Sequence, residues 1–147
     1  MASRMTPRQI ILIRQSFDAI LLVNRRAAVM FYERLFAIDP STRPLFGGDM
    51  VLQGAKLMAA IGAVVRALDD IGPILGEIRG MAQRHVRYGV LERHYASVGQ
   101  ALLWTLEQGI GAGFTEEMRR AWAEAYRLLS GAMIAAAYPK SALAERV

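Results

Sequence analysis

In a chain of 147 residues with two histidines and no cysteine, the side chains able to bind a metal or move a proton at neutral pH begin with His85. It lies in MAQRHVRYGV, residues 81–90, between two arginines, and follows Ile74, Ile78 and Met81 at steps of four, three and four. That spacing puts the ring on the inward face of a helix. An imidazole there loses free energy unless its nitrogens find partners, so three roles stay open: a satisfied core histidine, a general base or a metal ligand. Without cysteine there is no disulfide, thiolate nucleophile, iron–sulfur cluster or zinc finger, and any metal must be held by nitrogen or oxygen.

Ligand counting narrows the metal option. A cage built from side chains needs three or four clustered ligands. The second histidine, His94, lies nine residues on, beyond Gly89, in the segment expected to join two helices, and no carboxylate quartet stands near it. Zinc and di-iron sites are not expected. A macrocycle brings four nitrogens of its own and asks the protein for one axial histidine in apolar surroundings. A lone inward histidine meets that demand, and its second ring nitrogen would donate to the backbone carbonyl near Met81, one turn earlier. Tyr32 and Gln53 are the other polar residues that begin or interrupt inward faces, and together their donors could hold a polarised diatomic ligand. Taken singly, Tyr32 is equally a surface hydroxyl and Gln53 an exposed helix start. Gly109, Gly111 and Gly113 follow a helix and lack the lysine of a phosphate loop, and no nucleophile stands beside a base, so hydrolase chemistry has no support.

The elements that must position these residues are helical from end to end, with no strict alternation of apolar and polar residues. Thr6-Pro7 opens a first helix with Ile10, Ile13, Phe17 and Ile20/Leu21 on one face. A second begins near Asn24 and is expected to turn Val29, Tyr32 and Phe36 inward. Asp39-Pro40 starts a tight turn that leaves Phe46 on a corner before Gly47-Gly48. A helix from about Met50 carries Gln53, Leu57, Ala60/Ile61, Val64 and Leu68 on one face. The helix of His85 ends at Gly89, Tyr95, Val98, Leu102 and Leu106 line the next, and Gly109 to Gly113 close it. Thr115 caps a last helix faced by Met118, Trp122, Tyr126, Leu129 and Met133, which Tyr138-Pro139 stops. The prediction is an all-α chain of about seven helices in one domain over 1–147, with residues 1–5 a flexible N-terminus and 139–147 a tail.

Composition agrees with a packed globule: 54% of residues are hydrophobic and 21% charged. No apolar run is long enough to span a bilayer and the N-terminus lacks the pattern of a secretory signal, so the expected location is cytoplasmic. The net charge of +5 comes from scattered arginines without interleaved aromatics, which argues against a nucleic-acid partner.

Across almost its whole length the chain resembles the globin family, most closely bacterial single-domain globins of the Vitreoscilla type and the haem domain of flavohaemoglobins. The resemblance rests on FYERLF at 31–36, DPSTRPLF at 39–46, QGAKLM at 53–58, RHVRYGVLERHYASVGQALL at 84–103 and AWAEAY at 121–126. It implies a globin fold around one haem b, with His85 as proximal iron ligand and Phe46 wedged against the porphyrin. It implies Tyr32 and Gln53 as the distal pair, with Leu57 closing the pocket. Met81, Val90, Tyr95, Val98 and Leu102 then line the proximal side, with Tyr126 behind them, and Lys56, Arg84 and Arg87 become candidates for pairing with the propionates. One departure stands out: Ala137 occupies the position where related flavohaemoglobins place a glutamate, so the proximal relay lacks its carboxylate and the electronic push on bound oxygen should be weaker.

The resemblance therefore implies reversible binding of oxygen and other diatomic gases at five-coordinate iron, as a storage or transport protein. The distal helix carries no histidine, and bis-histidine coordination is not expected. Nitric oxide dioxygenation with a separate NAD(P)H-dependent reductase is the enzymatic alternative. A haem-based redox or gas sensor, or a haem-free helical interaction module, are the others. A monomer and a homodimer fit equally.

Overall fold

A computed structural model describes residues 5–138. Among these residues the chain forms six α-helices, α1 (Pro7–Leu21), α2 (Asn24–Ile38), α3 (Met50–Arg66), α4 (Leu75–Arg87), α5 (His94–Ile110) and α6 (Glu116–Ala137). A six-residue 3-10 segment, Pro40–Leu45, makes a seventh helical piece, and shorter 3-10 turns occupy Gly72–Ile74 and Gly111–Gly113. No strand is present among the described residues, and none of their helices is long and apolar enough to cross a membrane.

The helix starts follow local chemistry. Thr6 and Gln9 form a reciprocal capping box, with the Thr6 hydroxyl accepting from the Gln9 amide at 3.1 Å and the Gln9 side chain accepting from the Thr6 amide at 2.8 Å. Asp49 caps α3 through the Val51 amide and Thr115 caps α6 through the Met118 amide. Both termini expected to be loose lie outside the described residues except for Met5, which packs against the core. Pro139 lies outside them too, and α6 stops at Ala137.

Two expectations about faces are corrected. Val29 is 56% exposed, and the inward face of α2 is Ala27, Ala28, Phe31, Tyr32 and Leu35. The core needs a small-residue stripe there because α3 crosses closely: a Cβ placed on Gly54 would lie 2.8 Å from the Ala28 Cβ. His94 does not lie in a connecting segment; it is the first residue of α5 and is 3% exposed.

The core divides into three clusters. Ile13, Phe17, Ile20, Val65, Leu106 and Trp122 join α1, α3, α5 and α6. Phe31, Tyr32, Leu35 and Ala101 join α2 to α5. Ile78, Ala82, Tyr95 and Met133 join α4, α5 and α6. The last two clusters hold Tyr32 and Tyr95 and the apolar residues expected around the site.

Candidate functional site

The first half of the site is built where α2 crosses α3. Burial removes Tyr32 from water, and its hydroxyl donates to the Gln53 main-chain carbonyl at 3.2 Å. Desolvation pushes its pKa up to about 12, so the phenol stays a neutral donor at physiological pH. The Gln53 amide points elsewhere, donating to the Gly47 carbonyl at 3.2 Å. The two residues are thus joined through the backbone of one of them. Phe46, at the end of the 3-10 segment, meets the Tyr32 ring edge-on with centroids 5.1 Å apart, and Phe36 stacks on Tyr32 at 6.0 Å. Leu57, Val98 and Leu102 pack against this aromatic cluster.

The second half lies where α4 rests on α6. Ile78 and Ala82 anchor the buried face of α4, and Met81 and Val90 pack beside them against Tyr95. His85 is half-buried at the end of that face. Its pKa is lowered, chiefly by burial; the Met81 carbonyl pulls it partly back, and the Arg84 charge lowers it further. The ring is held neutral, with a free lone pair. Its Nδ1 is enclosed and makes no hydrogen bond of good geometry, so the Met81 carbonyl acts on the ring without satisfying it. The Tyr95 hydroxyl is likewise enclosed and unpartnered. Ala137 packs against this same cluster and brings no polar group to either atom.

Around these two orphans the backbone is firmly held. Tyr126 donates its hydroxyl to the Tyr95 carbonyl at 2.6 Å. Tyr138 donates to the Val90 carbonyl at 2.7 Å, and the Val90 amide donates to the His85 carbonyl at 2.9 Å. Gly89, with φ at +94°, provides the left-handed turn that carries the chain from α4 into this corner. Sequence reasoning took Tyr138 only as part of a helix stop, and nothing local signals its partner 48 residues away.

A polar link that the sequence did not signal joins the corner before Phe46 to the corner after His85. His94 Nδ1 accepts from the Leu91 amide at 2.9 Å and its Nε2 faces the Ser41 hydroxyl at 3.1 Å. Ser41 and Ser97 both donate to Asp39, whose carboxyl is held below its ordinary value, mainly by the Ser41 hydroxyl. Both nitrogens of His94 are engaged, and this histidine is not available to a metal. Lys56, Arg84 and Arg87 are exposed and form no ion pair with described residues.

The donor set fits a haem. One neutral histidine stands on α4, apolar residues line the interior, and a protonated phenol stands on α2. An axial ligand needs its remote nitrogen protonated and enclosed, and the buried Nδ1 of His85 is in that position. Among the described residues no three histidine or carboxylate side chains cluster as a metal cage.

The sequence profile of the family described as Globin matches residues 29–133. The chain belongs to the globin family. This globin is 33% identical to the flavohemoprotein of Chromobacterium violaceum over 107 residues, which covers 71% of this chain and 26% of that protein. It is 35% identical to the flavohemoprotein of Bordetella pertussis over a similar stretch, covering 27% of it. The globin therefore spans about a quarter of the length of these relatives. Among solved structures, an engineered carbene transferase from Rhodothermus marinus, named as a nitric oxide dioxygenase, superposes with a TM-score of 0.82 at 28% identity, covering 96% of this chain and 99% of that one. A hexacoordinated haem protein from a tardigrade also reaches 0.82 at 14% identity and supports the fold alone.

Proposed function

We propose that this globin carries haem b on His85 and binds dioxygen reversibly, as one globin domain working in the cytoplasm. The observation that carries the reading is the pairing of a neutral, half-buried His85 with a buried Tyr32 phenol on the opposite helix pair. When bound, the haem iron supplies the coordination position at which a diatomic gas is held. Burial keeps the His85 imidazole neutral, so one ring nitrogen offers its lone pair without competition from a proton. The Tyr32 hydroxyl is a donor with one weak backbone partner at 3.2 Å, which it can exchange for a polarised ligand. Phe46 and Leu57 keep water from that donor. Exposed Lys56, Arg84 and Arg87 have no carboxylate partners among the described residues and can meet the haem propionates.

Nitric oxide dioxygenation with a separate NAD(P)H-dependent reductase is the second reading, favoured by the similarity to the Rhodothermus marinus structure. Ala137 weighs against it, because it leaves the proximal pair His85 and Tyr95 without a carboxylate. The deciding measurement for the haem site is the absorption spectrum of ferric, ferrous and carbon-monoxide-bound protein. The expected result is a Soret band that is lost or displaced in His85→Ala. A wild-type protein that takes up no haem sinks the reading.

A further inference from the structure

Away from the haem-site residues on α3 and α4, the surfaces of α2, α5 and α6 enclose a hollow open to solvent on one side. Its volume is about 350 Å³, at the lower end of the range of roughly 300–1,000 Å³ that small-molecule sites occupy. The floor is apolar: Ile38, Leu103, the Trp104 indole and the Tyr126 ring. Ala96 and Gly99 supply the depth. A Cβ on Gly99 would lie 2.7 Å from the Tyr126 ring, so the absence of a side chain there is what seats that ring in the floor.

The polar rim is unbalanced. Arg119 pairs with Glu107 at 3.0 Å, which neutralises both. Arg34 has no carboxylate partner among the described residues; its guanidinium lies 4.9 Å from the centre of the Trp104 ring. A guanidinium whose carbon sits over an aromatic face is attracted by the ring, and its N–H donors match a carboxylate in a two-point bond. The lining thus combines apolar and aromatic side chains with one cation that has no carboxylate partner among the described residues.

We propose that this hollow binds a small aromatic monocarboxylate, with its carboxylate on Arg34 and its ring over Leu103 and Tyr126. A single unmatched positive charge selects a monoanion over a dianion or a cation, and the apolar floor selects a ring over a hydroxylated chain. The site is coupled to the proximal side of the globin through one residue. Tyr126 forms part of the floor and donates its hydroxyl to the Tyr95 carbonyl at 2.6 Å, and Tyr95 packs in the same cluster as Met81 and Val90 that flank His85. A ligand that presses on the Tyr126 ring therefore bears on the backbone of Tyr95. The binding step makes no use of haem.

The chain has two tryptophans, and Trp122 is buried far from solvent, so Trp104 fluorescence in a Trp122→Phe background reports this hollow alone. Benzoate is the probe, with benzyl alcohol and cyclohexylamine as the neutral and cationic controls. The expected result is saturable quenching by benzoate at low ionic strength, absent with both controls and weakened at least about tenfold in Arg34→Gln, as expected for loss of a charge-assisted hydrogen bond. Trp122→Phe is itself a core change, so calorimetric titration of the unmodified chain with benzoate gives the same comparison without it. Hydrogen exchange then tests the coupling: saturating benzoate should change exchange in residues 95–99 of the wild-type chain and not in Tyr126→Phe. Non-saturating quenching, or equal binding by wild type and Arg34→Gln, overturns the site. Saturable, Arg34-dependent binding without any change at residues 95–99 overturns the coupling.

Discussion

Tyr32 gives its hydroxyl to the main-chain carbonyl of Gln53 at 3.2 Å, while the Gln53 side chain turns away to Gly47. The two residues that sequence reasoning treated as equal donors are therefore unequal. Tyr32 is buried with a single long partner, and Gln53 is tied to the corner that carries Phe46. Tyr32→Phe should raise the dioxygen dissociation rate of the haem-loaded protein by about tenfold or more, since a hydrogen bond to a charged acceptor is worth about 1.5–3 kcal/mol. Gln53→Leu should change it less. Stopped-flow displacement by carbon monoxide measures both, and an unchanged rate in Tyr32→Phe removes that hydroxyl from ligand binding.

The same burial predicts the alkaline limb of stability. The Tyr32 phenol is raised from 10.0 to about 12 by desolvation alone. A raised pKa means that the folded state holds its proton more tightly, so the contribution is fully present below pH 10 and is lost as pH rises towards 12. Urea midpoints should fall across that window, and they should fall less steeply in Tyr32→Phe. Parallel slopes in the two proteins would show that another group governs the alkaline limb.

His85 Nδ1 and the Tyr95 hydroxyl are both enclosed without partners among the described residues, and Ala137 packs against the cluster that holds Tyr95. Ala137→Glu supplies an acceptor to a cluster that has two waiting donors. The iron–histidine stretching band of the ferrous protein should rise in frequency as the imidazole gains anionic character, and nitric oxide turnover with an added flavin reductase should increase. If neither changes while the variant still folds and takes up haem, the missing carboxylate is not what distinguishes this chain.

Between α6 and α1, Trp122 donates its indole N–H to the buried Ser16 hydroxyl at 2.7 Å, and Ser16 donates in turn to the Leu12 carbonyl. Ser16→Ala leaves the indole unsatisfied where water cannot reach it. The cost should be about 1–3 kcal/mol, read from the shift in urea midpoint at constant slope. A shift near zero would mean that the indole finds another acceptor.

The helices and their starts were largely legible because their causes are local. Thr6, Asp49 and Thr115 cap the helices that follow them by reaching no more than three residues ahead. Val29 was misread for an equally physical reason. Apolar periodicity places it beside Tyr32, but the close approach of α3 at Gly54 demands small residues on that face and leaves Val29 in water. His94 was misplaced, and the bond from Tyr138 to Val90 was not foreseen although Tyr138 does end α6, because the partners Ser41 and Val90 are distant in sequence.

By itself the sequence determined an all-α chain and the placement of His85 on the inward face of its helix, because helical periodicity needs no knowledge of what lies across the core, and its motifs carried the resemblance to globins. Only the tertiary structure decided that Tyr32 and Gln53 meet through a backbone carbonyl, that Nδ1 of His85 is left without a full partner, and that Tyr138 holds the corner behind it. Those outcomes depend on how closely α2 approaches α3 and where the end of α6 comes to rest. Close packing of side chains from distant segments sets such distances, and no local pattern encodes them.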